Sequence, residues 1–167
     1  MKISNDTRNV LKNFSTINSG IRVKSGNKLE TISNMKNILA VATVNESFPQ
    51  DFSIYNLPEF LGATSLLSDP EFEFGDTSLT VADDNSSLAY FYASEGMVTA
   101  PDKMITMPNA EITFDLSSTL LNDLNKAASV LGVNDLVLKS DGSTITLQVT
   151  DKKNTTSNTF SRIVGEG

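Results

Sequence analysis

Ser4-Asn5-Asp6-Thr7-Arg8-Asn9-Val10-Leu11-Lys12-Asn13-Phe14-Ser15-Thr16-Ile17-Asn18-Ser19-Gly20-Ile21 (residues 4–21) is the stretch from which the fold can be read. Val10, Leu11, Phe14 and Ile17 recur at i, i+1, i+4 and i+7, one stripe of a helix, so the spacing predicts an amphipathic helix over Asn5–Asn18. Ser4, Asn5 and Asp6 all suit an N-cap, and Gly20 is a natural stop. Beyond Gly20 the period changes. Ile21–Lys24 and Lys28–Ser33 flank Ser25-Gly26-Asn27, which predicts a hairpin whose turn takes positive φ.

Working outward, Asn37–Val44 and Asp51–Tyr55 read as further strands. Asn56-Leu57-Pro58-Glu59 opens a second helix, running to about Leu67, with Asn as cap, Pro in the first turn and Glu three residues after the cap. Ser68-Asp69-Pro70 ends it, and Glu71–Phe74, Leu79–Ala82 and Leu88–Ala93 alternate as strands. Residues 1–93 thus form one α-β-β-β-β-α-β-β-β module. Residues 94–109, with two prolines and little periodicity, are expected to be a connector, extended around Met104–Met107. In residues 110–167 the opening pattern returns. Ala110–Asp115 is strand-like, and Ser117–Leu131 is a helix with Leu120, Leu121, Leu124, Ala127, Ala128 and Leu131 on one stripe, stopped by Gly132. Asp135–Lys139 and Thr144–Thr150 then form a hairpin around Ser140-Asp141-Gly142-Ser143. Gly20 and Gly132 head similar turns, so an internal duplication is expected. The second copy stops at Gly167 before any counterpart of the Asn56 helix and its three strands; the expectation is a second module interrupted midway.

Composition removes whole classes of chemistry. There is no cysteine and no histidine in 167 residues, which leaves no disulfide framework, thiolate zinc site, Ser-His-Asp triad or imidazole acid-base catalyst. No run of about 18 apolar residues could span a membrane, and the N-terminus lacks the apolar core of a secretory signal. The net charge is −7, but unevenly spread: +5 over residues 1–36, −13 over residues 37–125 and +1 over residues 126–167. A chain segregated in this way can offer a positive surface to one partner while the rest repels it.

The outward face of the first helix holds Asn5, Arg8, Asn9, Lys12, Ser15 and Thr16. That of the Ser117 helix holds Ser118, Asn122, Asn125, Lys126 and Ser129. Neither contains an acid. Cations with short polar neighbours suit sequence-independent phosphate contact, although from pattern alone an ordinary solvated face is the preferred reading. Asp83-Asp84-Asn85 lacks the Gly and Glu of a calcium loop and reads as a turn. Glu71 and Glu73 share one face of a strand and point to solvent. Lys152-Lys153-Asn154 is a polar turn. Met97, Met104 and Met107 cluster in the connector, where packing is the plain reading.

Asp6-Thr7, Leu11-Lys12-Asn13-Phe14, Thr16-Ile17-Asn18-Ser19-Gly20-Ile21 and Lys24-Ser25-Gly26 together resemble the start of the sliding clamps of T-even-type bacteriophages. Phe60-Leu61-Gly62, Ser65-Leu66, Ala82-Asp83, Ala100-Pro101 and Lys103 continue the likeness in order, across essentially the whole chain. The resemblance implies an α+β DNA clamp fold, with antiparallel sheets, helices on one face, one complete module and one partial module. It implies a non-enzymatic protein without cofactors: three subunits join into a ring around double-stranded DNA, tether the replicative DNA polymerase and are opened by a clamp-loader ATPase, in the cytoplasm of the infected bacterial host. It places Arg8, Lys12 and Lys126 toward DNA, with Asn9, Thr16, Asn122 and Asn125 in support. The Asn56 helix, which would also line the hole, carries no base. The competing readings are a structural or adhesion module of the phage particle, fitting the Ser/Thr/Asn-rich β content, and a carboxylate-only enzyme.

Overall fold

Short polar side chains start each of the three helices among the described residues. The Ser4 hydroxyl accepts from the Thr7 N–H and begins α1 (Asn5–Ile17). Asn56 Oδ1 accepts from the Glu59 N–H and begins α2 (Leu57–Thr64), while Asn56 Nδ2 donates back to the Glu59 carboxylate. The Ser117 hydroxyl accepts from the Leu120 N–H and begins α3 (Ser118–Leu131). Each cap satisfies an N–H that the first turn leaves without a helical partner. The computed structural model describes residues 1–94, 96–102, 109–110 and 112–166. They fall into two compact units, Met1–Met104 and Ile105–Gly167.

The first unit follows the order expected from the sequence. α1 leads to β1 (Ile21–Val23), β2 (Gly26–Ile32), β3 (Leu39–Phe48) and β4 (Phe52–Ile54); α2 leads to β5 (Glu71–Phe74), β6 (Ser78–Ala82) and β7 (Ser87–Phe91). It is built from two similar halves that exchange strands. β4, which precedes α2, pairs antiparallel with β1, which follows α1, with Ile21 opposite Ile54 and Val23 opposite Phe52. Reciprocally, the residues preceding α1 meet β5, which follows α2: the Met1 ammonium donates to the Phe72 carbonyl at 2.7 Å and the Phe72 N–H returns to the Met1 carbonyl at 2.7 Å. β2 pairs with β3, and β5-β6-β7 form an antiparallel meander.

The halves close over one core. α1 buries Thr7, Leu11 and Phe14, and α2 buries Leu57, Phe60 and Thr64. They pack on Ile21, Val23, Leu29, Ile54, Leu79 and Val81, each at most 2% exposed. Side chains of this size each contribute about 1.5–3 kcal/mol on burial. Phe52 sits among Phe48, Phe74 and Tyr92, with ring centroids 5.9, 5.3 and 5.4 Å away.

Two details differ from the reading of the opening stretch. Ile21–Lys24 and Lys28–Ser33 do not form a hairpin. β1 belongs to β4, and Gly26, at φ +109°, opens β2 opposite Phe48. Asp51 takes the intervening turn, its Oδ1 accepting the Ser25 N–H at 2.7 Å, so a residue of the β3–β4 connection holds what the local sequence would have closed alone. Gly20, in turn, is not the helix stop. α1 ends at the buried Asn18, whose amide donates to the Ile32 and Thr99 carbonyls and whose Oδ1 accepts the Gly20 N–H. Gly20 is needed for close approach, because a Cβ there would lie 3.2 Å from the carbonyl oxygens of Ile54 and Tyr55.

The second unit is one half of this kind. α3 ends at Gly132, which adopts φ +66° as a left-handed cap. β8 (Asp135–Ser140), β9 (Thr144–Thr150) and β10 (Phe160–Glu166) form an antiparallel sheet in the order β10-β9-β8. Leu124, Val133, Leu147 and Val149 make its buried core. The strand expected over Ala110–Asp115 is absent from its described residues, and 112–117 carry no ladder. In the first unit the residue at the start of the corresponding segment, Met1, pairs with Phe72 on β5 of the opposite half, and the described residues of the second unit contain no counterpart of that strand. The extended stretch expected at Met104–Met107 lies outside the described residues.

Glu46 on β3 holds the start of α1. Its carboxylate accepts from the Ser4 N–H and the Thr7 hydroxyl. Burial alone would raise its pKa, but the Thr7 and Ser4 hydrogen bonds outweigh that and lower it from the usual 4.5 to about 2. A depressed carboxylate stabilises the fold fully above the unfolded-state value and loses that contribution as pH falls through the folded one. Glu46→Gln is therefore expected to cost on the order of 2 kcal/mol at neutral pH in urea unfolding. The gap between parent and variant should close as pH drops from 4.5 toward 2. A gap constant across that window would remove the Glu46 charge from the account.

Candidate nucleic-acid interface

With Leu11 and Phe14 committed to the core, helical geometry turns Asn9 and Lys12 outward and leaves Arg8 half-buried at the edge. Arg8 Nε donates to the Ile3 carbonyl at 3.4 Å, which ties its guanidinium to the residues just before the helix. Arg8, Asn9, Lys12 and Ser15 form one wall of an open groove whose other wall is Pro58, Leu61, Gly62 and Ser65 of the α2 region. Among the residues lining this groove there are two cations and no carboxylate. α2 contributes no base, as its sequence requires, but its exposed Gly62 has nothing within 4 Å of a notional Cβ, so the wall is low and open.

Arg8, Asn9 and Lys12 are thus brought together. Thr16 is exposed but outside the groove lining, and its hydroxyl donates to the Asn13 carbonyl at 2.7 Å. In the second unit, Asn122, Asn125 and Lys126 are all exposed on α3; the Asn125 carbonyl accepts from the Ser129 hydroxyl at 2.9 Å. Among the described residues no side-chain hydrogen bond or ion pair engages Lys12 or Lys126, and both are exposed; the Lys12 carbonyl accepts from the Ser15 hydroxyl at 2.7 Å.

The charge surplus of residues 1–36 is not one patch. Lys2 pairs with Asp69. Lys36 sits in the β2–β3 turn at φ +56°. Arg22, Lys24 and Lys28 line a separate concavity that also contains Glu30 and Asp102, with Lys28 3.1 Å from Glu30. Position along the chain is a poor guide here, since alternation in β1 and β2 aims side chains away from the helix layer.

The remaining motifs resolve as turns and surface. Asp83 accepts N–H groups from Ser68, Asn85 and Ser86, which hold its carboxyl below its ordinary range and close the β6–β7 turn. Asp141 does the same for the β8–β9 turn through Ser143 and Thr144. Glu71 and Glu73 are exposed on β5. Glu46 was invisible to sequence reading. Its partner hydroxyl at Thr7 was in plain sight, but nothing local shows which distant carboxylate reaches it.

Comparison with known proteins adds independent findings. The family model described as DNA polymerase processivity factor matches residues 4–100. The sliding clamp of Vibrio phage KVP40 is 35% identical over 99% of this chain and 78% of its own length. The sliding clamp of Enterobacteria phage T4 is 33% identical over 83% of this chain, which spans 61% of that protein. A crystal structure of the Helicobacter pylori beta clamp in complex with 3,4-difluorobenzamide superposes with a TM-score of 0.64 at 21% identity. It covers 98% of this chain, which spans 51% of that one, and it supports the fold alone. The α+β clamp fold expected from the sequence is the fold observed.

Because Lys12 and Lys126 are exposed and unpaired, Lys12→Ala and Lys126→Ala are expected to change unfolding free energy by no more than about 0.5 kcal/mol. Larger losses in thermal or urea unfolding would give these lysines a structural role.

Proposed function

The chain belongs to the DNA polymerase processivity factor family, and on that premise we propose that it encircles duplex DNA as a ring and tethers the replicative polymerase. It is a sliding clamp, a non-enzymatic factor. The ring is a head-to-tail homotrimer in the complete assembly, opened by a clamp-loader ATPase inside the infected bacterial host. Family membership leaves the reading as a particle-structural or adhesion module without a supporting observation.

The observation that carries this reading is the carboxylate-free groove between α1 and α2, with Arg8 and Lys12 on its wall, in a chain of net charge −7. Phosphates are attracted there and repelled by most of the remaining surface. A clamp has to slide, so its contacts must be few, screened by salt and indifferent to base sequence; closure of the ring, not affinity, prevents dissociation. Arg8, Lys12 and Lys126 supply the charge in this reading, and Asn9, Thr16, Asn122 and Asn125 offer hydrogen bonds to phosphate oxygens.

The double variant Arg8→Glu/Lys12→Glu is expected to remain folded and to lower loader-dependent stimulation of DNA synthesis on a primed circular template by roughly tenfold or more at moderate salt. The deficit should narrow as salt is lowered and loading becomes easier for all variants. Undiminished stimulation by a folded double variant would sink the assignment of the α1 face to DNA.

A further inference from the structure

The face of the first unit opposite its helices carries a concavity of its own. On β1 the buried Ile21 and Val23 point into the core beneath α1 and α2, so Arg22 between them projects from the other face. On β2 the buried Leu29 and Thr31 leave Lys28 and Glu30 to the outside in the same way. These three, with Lys24 and Ser25 of the β1–β2 turn and Ala100, Pro101 and Asp102 further along the chain, enclose about 290 Å³ within the first unit. Both walls are held in place. Asp51 Oδ1 accepts the Ser25 N–H at 2.7 Å and fixes the turn. The buried Asn18 amide donates to the Thr99 carbonyl at 2.9 Å, and Val98 lies close over Gly20, so the chain arrives at Ala100 already seated.

Lys28 is engaged with Glu30 at 3.1 Å. Arg22 and Lys24 are not so engaged. Arg22 is half-buried, and among the described residues no hydrogen bond or ion pair involves its guanidinium or the Lys24 ammonium. A half-buried guanidinium has given up part of its hydration without gaining acceptors in return, and its planar fork matches a carboxylate with two parallel hydrogen bonds. We propose that this concavity binds an acidic segment of a partner protein, an Asp or Glu side chain of that segment lying against Arg22 and Lys24.

The lining selects a peptide over a nucleic acid. Glu30 and Asp102 bring carboxylates into it, and a run of phosphates would be repelled by them. A peptide carries N–H groups that a carboxylate such as Asp102 accepts, and Ala100 and Pro101 offer it apolar contact. The α1–α2 groove, with cations and no carboxylate, is the opposite case. Ligand pockets run about 300–1,000 Å³, so a space at the small end of that range suits side chains of a segment rather than a complete small ligand. The rest of the chain sharpens the choice. The net charge of −13 over residues 37–125 repels an acidic segment from other surfaces and steers it toward these cations. Binding here needs neither DNA nor ring closure, so it stands or falls apart from the function proposed above.

The isotope-labelled 167-residue chain, titrated with a short peptide of alternating Asp and Ala, should show saturable amide chemical-shift changes at Arg22, Ser25, Ala100 and Asp102. A matching peptide of Lys and Ala should produce none there. Arg22→Gln and Lys24→Gln should each weaken the acidic peptide's binding by roughly fivefold or more while leaving the melting transition in place. Lys12→Gln, in the α1–α2 groove, should leave that binding unchanged. No saturable response to the acidic peptide, or a response indifferent to both substitutions, would overturn the proposal. So would inorganic phosphate or a short DNA duplex that perturbs the same amides at lower concentration than the peptide does.

Discussion

The first unit depends on a reciprocal exchange of strands. Each half places the segment before its helix against the strand after the other half's helix: β4 on β1, and the Met1 backbone on β5. Neither half can bury its helix-facing side chains alone, since Ile21 and Val23 are covered only when Ile54 and Phe52 lie opposite them. The exchange also fixes where the helices go. The Leu57 N–H donates to the Ser19 carbonyl at 2.6 Å, joining the start of α2 to the exit of α1. Tyr90 on β7 reaches the Asn56 carbonyl and the Glu59 carboxylate with its hydroxyl. The two helices are thereby set side by side on one face, and the groove between them is a consequence of how the sheets are closed.

The proposed function rests on what that face omits. A protein that must hold DNA without gripping it needs cations within reach of phosphates, no acids beside them and no donor geometry that singles out a base. The α1–α2 groove meets these conditions with two cations and a low, uncharged second wall. Acids are not excluded from the helices as such: Asp6 and Glu59 lie in the first turns of α1 and α2 but outside the groove lining. Glu46 reaches the start of α1 from β3, and its carboxylate is engaged by Ser4 and Thr7.

Much of this was legible in the sequence. Element order in the first unit, the cap at Asn56, the stop at Gly132 and the turn at Asp83 all follow from short-range chemistry, and the structure has each of them. What the sequence could not show were events decided at long range. Gly20 looked like a helix stop but serves close packing against Ile54 and Tyr55. Residues 21–33 looked like a hairpin but are divided between two pairings, with Asp51 closing the turn. The seven bases of residues 1–36 looked like one surface, yet alternation in the strands and the partners of Lys2 and Lys28 disperse them. Arg8, Asn9 and Lys12 could be placed on one face because helical periodicity is local. Their union with α2 in a groove could not.

Topological retention tests the central claim most directly. The protein, loaded onto nicked circular duplex and washed at a salt concentration that strips ordinary electrostatic binders, should stay bound until a restriction enzyme linearises the DNA, and should then leave by the free ends. Retention that is the same on circular and linear DNA, or is lost from the circle as soon as salt is raised, would contradict an account in which closure around DNA replaces affinity.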